Sequence, residues 1–223
     1  RQMCIRDSID PLQTKYNRYE GFRLGAGFKL NEKFNRYISP DFYLAYGFKD
    51  RARKYGAGVD FKTTLDKNSY FRLEYFKDVA AAGKFSQYLW NTKMILNNNG
   101  VSIFNNKYYQ YEGFRLGYEI DLSNSLTLNI SAKRQTEETG FAYLYLGEDR
   151  KYKNFSSLAT VKFSPNNKNV MTPYGKYTFD QNFPEVYLNY EQAYKTFGGE
   201  LNYSRFDMLF RHQFQSVLGT TGT

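Results

Sequence analysis

Residues 20–30, "EGFRLGAGFKL", decide the fold. Phe22, Leu24, Ala26, Phe28 and Leu30 occupy alternate positions, and Arg23, Gly25, Gly27 and Lys29 fill the places between them. Period two is the signature of a strand with one apolar and one polar face. The run is also long. Soluble strands cluster near 5 or 6 residues, whereas a tilted strand needs about 9 to 11 to cross a bilayer.

The same alternation recurs along the chain. Phe42, Leu44, Tyr46 and Phe48 alternate with Tyr43, Ala45, Gly47 and Lys49, and Tyr55, Ala57, Val59, Phe61 and Leu65 with Gly56, Gly58, Asp60, Lys62 and Thr64. Phe71, Leu73 and Tyr75 oppose Arg72 and Glu74. Further on, Phe114, Leu116, Tyr118 and Ile120 oppose Arg115, Gly117, Glu119 and Asp121, and Leu126, Leu128, Ile130 and Ala132 oppose Thr127, Asn129, Ser131 and Lys133. The last clear run sets Phe206, Met208, Phe210 and Phe214 against Arg205, Asp207, Arg211 and Gln213. Weaker strands lie near 155–163 and 186–194. Residues 165–184, punctuated by Pro165, Pro173 and Pro184, read as irregular because proline withholds a ladder donor.

Composition agrees with this pattern. Aromatic residues reach 19%, with 22 Tyr and 20 Phe, yet the mean hydropathy is only -0.68. No stretch approaches the eighteen or so apolar residues of a membrane helix. A transmembrane barrel escapes that test, because only alternate residues meet lipid while aromatics gather at both interfaces. The fold class expected is therefore all-β: an incomplete antiparallel transmembrane β-barrel of about nine or ten long strands, without a transmembrane helix. Connections alternate too. "NEKFNR", "DKNS" and "DLSNS" are short, whereas 79–107 and 137–153 are long and would lie on the external side; "DRARK" is a short external exception. Segment 79–107, which holds the only tryptophan, reads as a surface loop, with a cover over the external mouth as its alternative.

The chain opens on "RQMCIRDS", which resembles nothing after it. Its codons can be spelled as a sequencing-library adapter, so residues 1–8 are expected to be an artefact and the domain to span 9–223. That domain is expected to be truncated at both ends, since "SVLGTTGT" follows a strand-like run with no closing element. Cys4, the only cysteine, falls within the artefact, which leaves no disulfide or thiolate metal site.

Catalytic chemistry finds no foothold. His212, the only histidine, alternates with Phe210 and Phe214 and reads as a packing residue, with no serine or cysteine nucleophile to serve. "GAGVDF" is half of a dinucleotide fingerprint, but it lies inside a strand with no helix to hold a phosphate. No catalytic residue, cofactor site or metal site is expected, and the protein reads as a non-enzyme. The net charge of +9 suggests nucleic acid, yet cations and aromatics occupy opposite faces and cannot grip one strand together. Nucleic acid is excluded as a partner.

The candidate functional residues are instead the charges directed at the lumen: Arg23, Asp60, Lys62, Arg72, Glu74, Arg115, Glu119, Arg205, Asp207 and Arg211. Adding Lys29, Lys49, Lys54, Lys133 and Lys162, the inner cations outnumber the inner acids, with Asp121 the only further acid. Such a lumen would favour anions, unless strands beyond these neutralise it. One repeat stands out: "YEGFRLG" occurs at 19–25 and again at 111–117, through duplication of a four-strand unit or through similar selection on two inward-running strands.

"NRYEGFRLGAGFKL", "FYLAYGFKDRARKYGAGVDF", and "NNKNVMTPYGKY" followed by "LNYSRFDMLFRHQF" resemble the barrel portion of a Bacteroidota outer-membrane family of unknown function. Members carry a carboxypeptidase-regulatory-like β-sandwich upstream, and the barrel is similar to the surface-antigen barrels of the assembly-factor superfamily. The resemblance covers about Lys15 to Gly219. It implies location in the outer membrane of a Gram-negative bacterium, with outer-membrane lipid and envelope polypeptides as partners. The function it implies is translocation or assembly of envelope components. A passive anion-preferring channel, a surface-binding barrel and a soluble all-β adhesin remain the alternatives. Nothing in the sequence sets an oligomeric state.

Overall fold

A computed structural model describes residues 15–30, 35–64, 68–82, 89–90, 107–140, 151–172, 175–180, 184–216 and 219–222. The alternating runs become long antiparallel strands: β1 (Lys15–Asn17), β2 (Gly21–Lys29), β3 (Ile38–Gly47), β4 (Arg53–Thr64), β5 (Ser69–Ala81), β6 (Tyr108–Asp121), β7 (Leu126–Thr139) and β8 (Lys151–Phe163). After them come β9 (Lys168–Thr172), β10 (Gly175–Asp180), β11 (Glu185–Ala193), β12 (Ser204–Arg211), β13 (Gln213–Ser216) and β14 (Gly219–Gly222). One ten-stranded sheet runs β1-β2-β3-β4-β5-β6-β7-β8-β11-β12, and β9-β10 and β13-β14 are separate hairpins. The sheet is an antiparallel meander that does not close on itself, an incomplete barrel. No helix among the described residues is long and apolar enough to cross a membrane.

The polar face is the inside of the curve. Arg23 on β2 reaches Asp78 on β5, and Gln110 on β6 donates to the hydroxyl of Tyr19, beside the start of β2, at 2.9 Å. Four strand spacings of nearly 5 Å separate β2 from β6 along the sheet. Only a strongly rolled sheet lets their side chains meet. Arg23, Lys54, Glu119, Glu185 and Asn189 on this concave face are all buried.

The outer face sorts its side chains by height. Toward the end with the long connections, aromatic rings pair across strands: Phe22 with Phe48, Tyr55 with Tyr75, Tyr75 with Phe114, and Phe155 with Tyr194 and Phe197. Toward the opposite end a second row pairs Phe28 with Phe42, Phe71 with Tyr118, and Phe210 with His212. Between the rows the ladder partners are aliphatic, Val59 with Leu73, Leu73 with Leu116, and Leu188 with Met208.

Three boundaries differ from the sequence expectation. β5 continues to Ala81, β7 to Thr139, and β8 begins at Lys151, so the long connections are shorter than 79–107 and 137–153. These strand ends pair Glu138 with Lys151 and Thr136 with Lys153. Polar residues on both faces hide strand periodicity from a hydrophobic pattern, while opposite charges across the ladder support it. Residues 165–184 are not wholly irregular, because β9 and β10 form a hairpin there. Pro165 and Pro184 lie just outside its strands. Leu65 lies outside the described residues.

Candidate functional site

Every cation of the inner wall is set by strand parity, and most find carboxylates from neighbouring strands. The largest cluster centres on Arg72. Its guanidinium meets Asp41 of β3 and Asp60 of β4, each at 2.6 Å, and Glu74 of its own strand at 2.9 Å. Lys29 closes on Asp60 at 2.6 Å. A second cluster lies nearer the long connections: Arg23 holds Asp78 through two bonds, at 2.5 and 3.1 Å, and touches Glu20 at 3.4 Å. Lys54 bridges Glu20 and Asp50. On the far strands Lys133 pairs with Glu191 at 2.8 Å, while Lys162 and Arg211 share Glu185 at 3.2 and 3.1 Å. Arg205 pairs with Asp207 at 2.9 Å.

The structure thus brings Asp60, Arg72, Glu74, Arg115 and Glu119 into one neighbourhood. Arg23 and Arg211 belong to separate clusters, Arg205 and Asp207 pair within β12, and Lys62 sits opposite Tyr70 on the ladder. Lys49 leaves the wall: it is exposed in the β3–β4 turn and donates to the Arg18 carbonyl at 2.5 Å. Sequence reasoning missed the acids Glu20, Asp41, Asp50, Asp78, Glu137, Glu185 and Glu191, most of which share the wall by the same parity. Asp41 directly precedes the apolar run of its strand and Asp78 follows its run by three residues, so continuing the alternation that far would have found them. With these acids present, the wall is an ion-paired lattice, and among the described residues its cations do not outnumber its acids. Glu137 shows how the lattice is completed by neutral groups: it accepts from Tyr152 at 2.6 Å, Gln135 at 2.6 Å and Asn154 at 3.1 Å. In the β11–β12 connection, Tyr203 donates to Glu191 at 3.0 Å, and burial together with that carboxylate raises its pKa above the usual phenol range.

The connection after β5 does more than cross the surface. Leu89 is buried, and Trp90 lies against the inner wall with its backbone N–H on Glu119 at 2.9 Å and its indole N–H on Glu74 at 3.2 Å. The Arg115 guanidinium stands 4.3 Å from the centre of its ring. The reading of this segment as a plain surface loop is thereby corrected for these two residues; the rest of 83–106 lies outside the described residues. The apolar stretch that holds them, "YLWNTKMIL", carries no period that would have placed Leu89 and Trp90 on the wall.

Among the described residues no group of three or more His, Cys, Asp or Glu side chains is placed to hold a metal ion. His212 packs its ring at 6.2 Å from Phe210. No protein-family model, curated protein or solved structure matches the chain.

Proposed function

We propose that this chain forms the wall of an integral outer-membrane β-barrel of a Gram-negative bacterium, one that handles polypeptides during translocation or assembly of envelope components. The observation that carries the membrane reading is the exposed face, where an aliphatic belt lies between two rows of aromatic rings. Leu73 is 50% exposed, Leu116 55% and Ile130 57%. A monomer in water rarely shows a continuous apolar surface of this extent, whereas lipid rewards it. A soluble adhesin would need polar residues there. Among the described residues the sheet ends at β1 and β12, and in lipid both of those edges require pairing.

The polypeptide reading rests on the inner wall. Its cations are matched by carboxylates, which removes the field an anion-preferring pore would use, and a residue of a connecting segment is seated within it. The resemblance to assembly-factor barrels points the same way. Substitution of Leu73 by Arg tests the membrane reading. Arg at mid-span on a lipid face costs about 2–4 kcal/mol, whereas on a surface already exposed to water the change stays within about 0.5 kcal/mol. Loss of folding into lipid vesicles by Leu73→Arg is expected; unaltered stability would mean that this face meets water.

A further inference from the structure

Trp90 is the only tryptophan of the sequence, and the wall receives it through several separate groups. Glu119 takes its backbone N–H, Glu74 takes its indole N–H, Arg115 lies over its ring, and the Tyr70 ring stands 6.1 Å away. Gly117 forms the floor: a Cβ there would lie 2.7 Å from the Trp90 Cη2 atom. The seat is held in shape from behind. Arg115 Nε donates to Ser131 at 3.2 Å, and Asn129 donates to Glu119 at 3.0 Å.

Each recognised feature is generic to a polypeptide. A backbone N–H, a flat ring face and a ring-borne donor are what any tryptophan in any chain presents. Glu74 and Glu119 oppose ligands that carry phosphate or carboxylate at the same spot, and phenylalanine would leave Glu74 without the indole donor. We propose that this part of the inner wall is a binding site for an aromatic residue, tryptophan above all, of a polypeptide within the lumen, and that Trp90 occupies it in cis until such a chain displaces it. The inference rests on the reading of the inner face as the lining of a polypeptide-handling barrel. Because it belongs to the same chain, this occupant competes with any other segment for the seat. A competing segment therefore binds with its affinity reduced by the fraction of time the seat is vacant.

The test uses the full-length protein folded in lipid vesicles and a dye-labelled Gly/Ser peptide carrying one tryptophan, followed by fluorescence anisotropy. Trp90→Ala vacates the seat and should bind the peptide at least about tenfold more tightly than the wild type. The same peptide with alanine in place of tryptophan should not respond to the substitution. Adding Arg115→Gln to Trp90→Ala removes the cation from the ring and should weaken binding by about tenfold. Should that variant fail to fold, Glu74→Ala serves instead, since it removes the acceptor of the indole N–H and leaves Arg72 its Asp41 and Asp60 partners. Equal binding by wild type and Trp90→Ala, or equal binding of the tryptophan and alanine peptides, overturns the proposal. Protease protection of the same vesicles separates the two levels of inference. A protected barrel without tryptophan-dependent binding defeats the seat alone, whereas an unprotected chain defeats the membrane reading and the seat with it.

Discussion

Arg23 and Arg115 occupy equivalent places in the repeated heptapeptide, and both reach a carboxylate on β5, Asp78 and Glu74 respectively. The glycine two residues on does the same work in each copy. A Cβ on Gly25 would lie 2.6 Å from that of Ala45, and one on Gly117 would lie 2.3 Å from that of Ser131. The glutamates differ: Glu20 is buried behind a turn at Gly21, whose φ is 67°, while Glu112 lies on the outer face and pairs with Lys77 at 2.9 Å. Equal letters with unequal roles favour similar selection on two strands over strict duplication. The pairing yields a prediction. Arg23 is 1% exposed, so Asp78→Asn takes the charge-assisted bonds from a buried cation that keeps Glu20 at 3.4 Å, and should destabilise the folded barrel by about 1.5–3 kcal/mol. Lys77→Ala, which breaks a half-exposed pair, should cost no more than about 1 kcal/mol. Urea unfolding of both variants in lipid measures the contrast.

At the level of strands, the apolar alternation made β2 to β7 and β12 legible from letters alone, because every second residue of each run meets the same environment. It failed where that environment changes along the strand. The ends of β7 and β8 rise beyond the aromatic row and their outer residues turn polar, while the end of β5 carries small apolar residues on both faces, Ala80 and Ala81, so in each the period loses its contrast. Parity still held there, and it placed Asp78 and Glu137 on the wall. Trp90 was unreadable for a different reason: no local pattern specifies that a connecting segment returns to its own sheet. Strand spacing supplies the prediction at this scale. At Gly117 an added Cβ would also lie 2.8 Å from the Ile130 carbonyl oxygen, which is backbone and cannot rotate away. Gly117→Ala should destabilise by about 1–3 kcal/mol through overpacking. Pairing it with Ser131→Gly should recover part of the loss, a coupling that a double-mutant cycle in unfolding experiments reads directly.

For the molecule as a whole, the proposed barrel ties what could pass to the charge on the wall. An unpaired cation in a narrow, low-dielectric passage acts on every ion that crosses it. Here Arg72 is flanked by Asp41, Asp60 and Glu74, and Trp90 lies over Arg115, so neither guanidinium presents an open positive face to a water path. The complete barrel in planar bilayers should accordingly show little steady conductance and no strong anion preference. Arg72→Glu combined with Arg115→Glu should not convert an anion pore to a cation pore. It should instead destabilise the fold, because four carboxylates, Asp41, Asp60, Glu74 and Glu119, would then face one another and two new ones within a few ångströms. Trp90→Ala alone should act differently, raising conductance by opening the seat while leaving the ion pairs intact. A large, stable, anion-selective current in the wild type, reversed by the double substitution, would show that the wall is an open pore and would return the channel reading to first place.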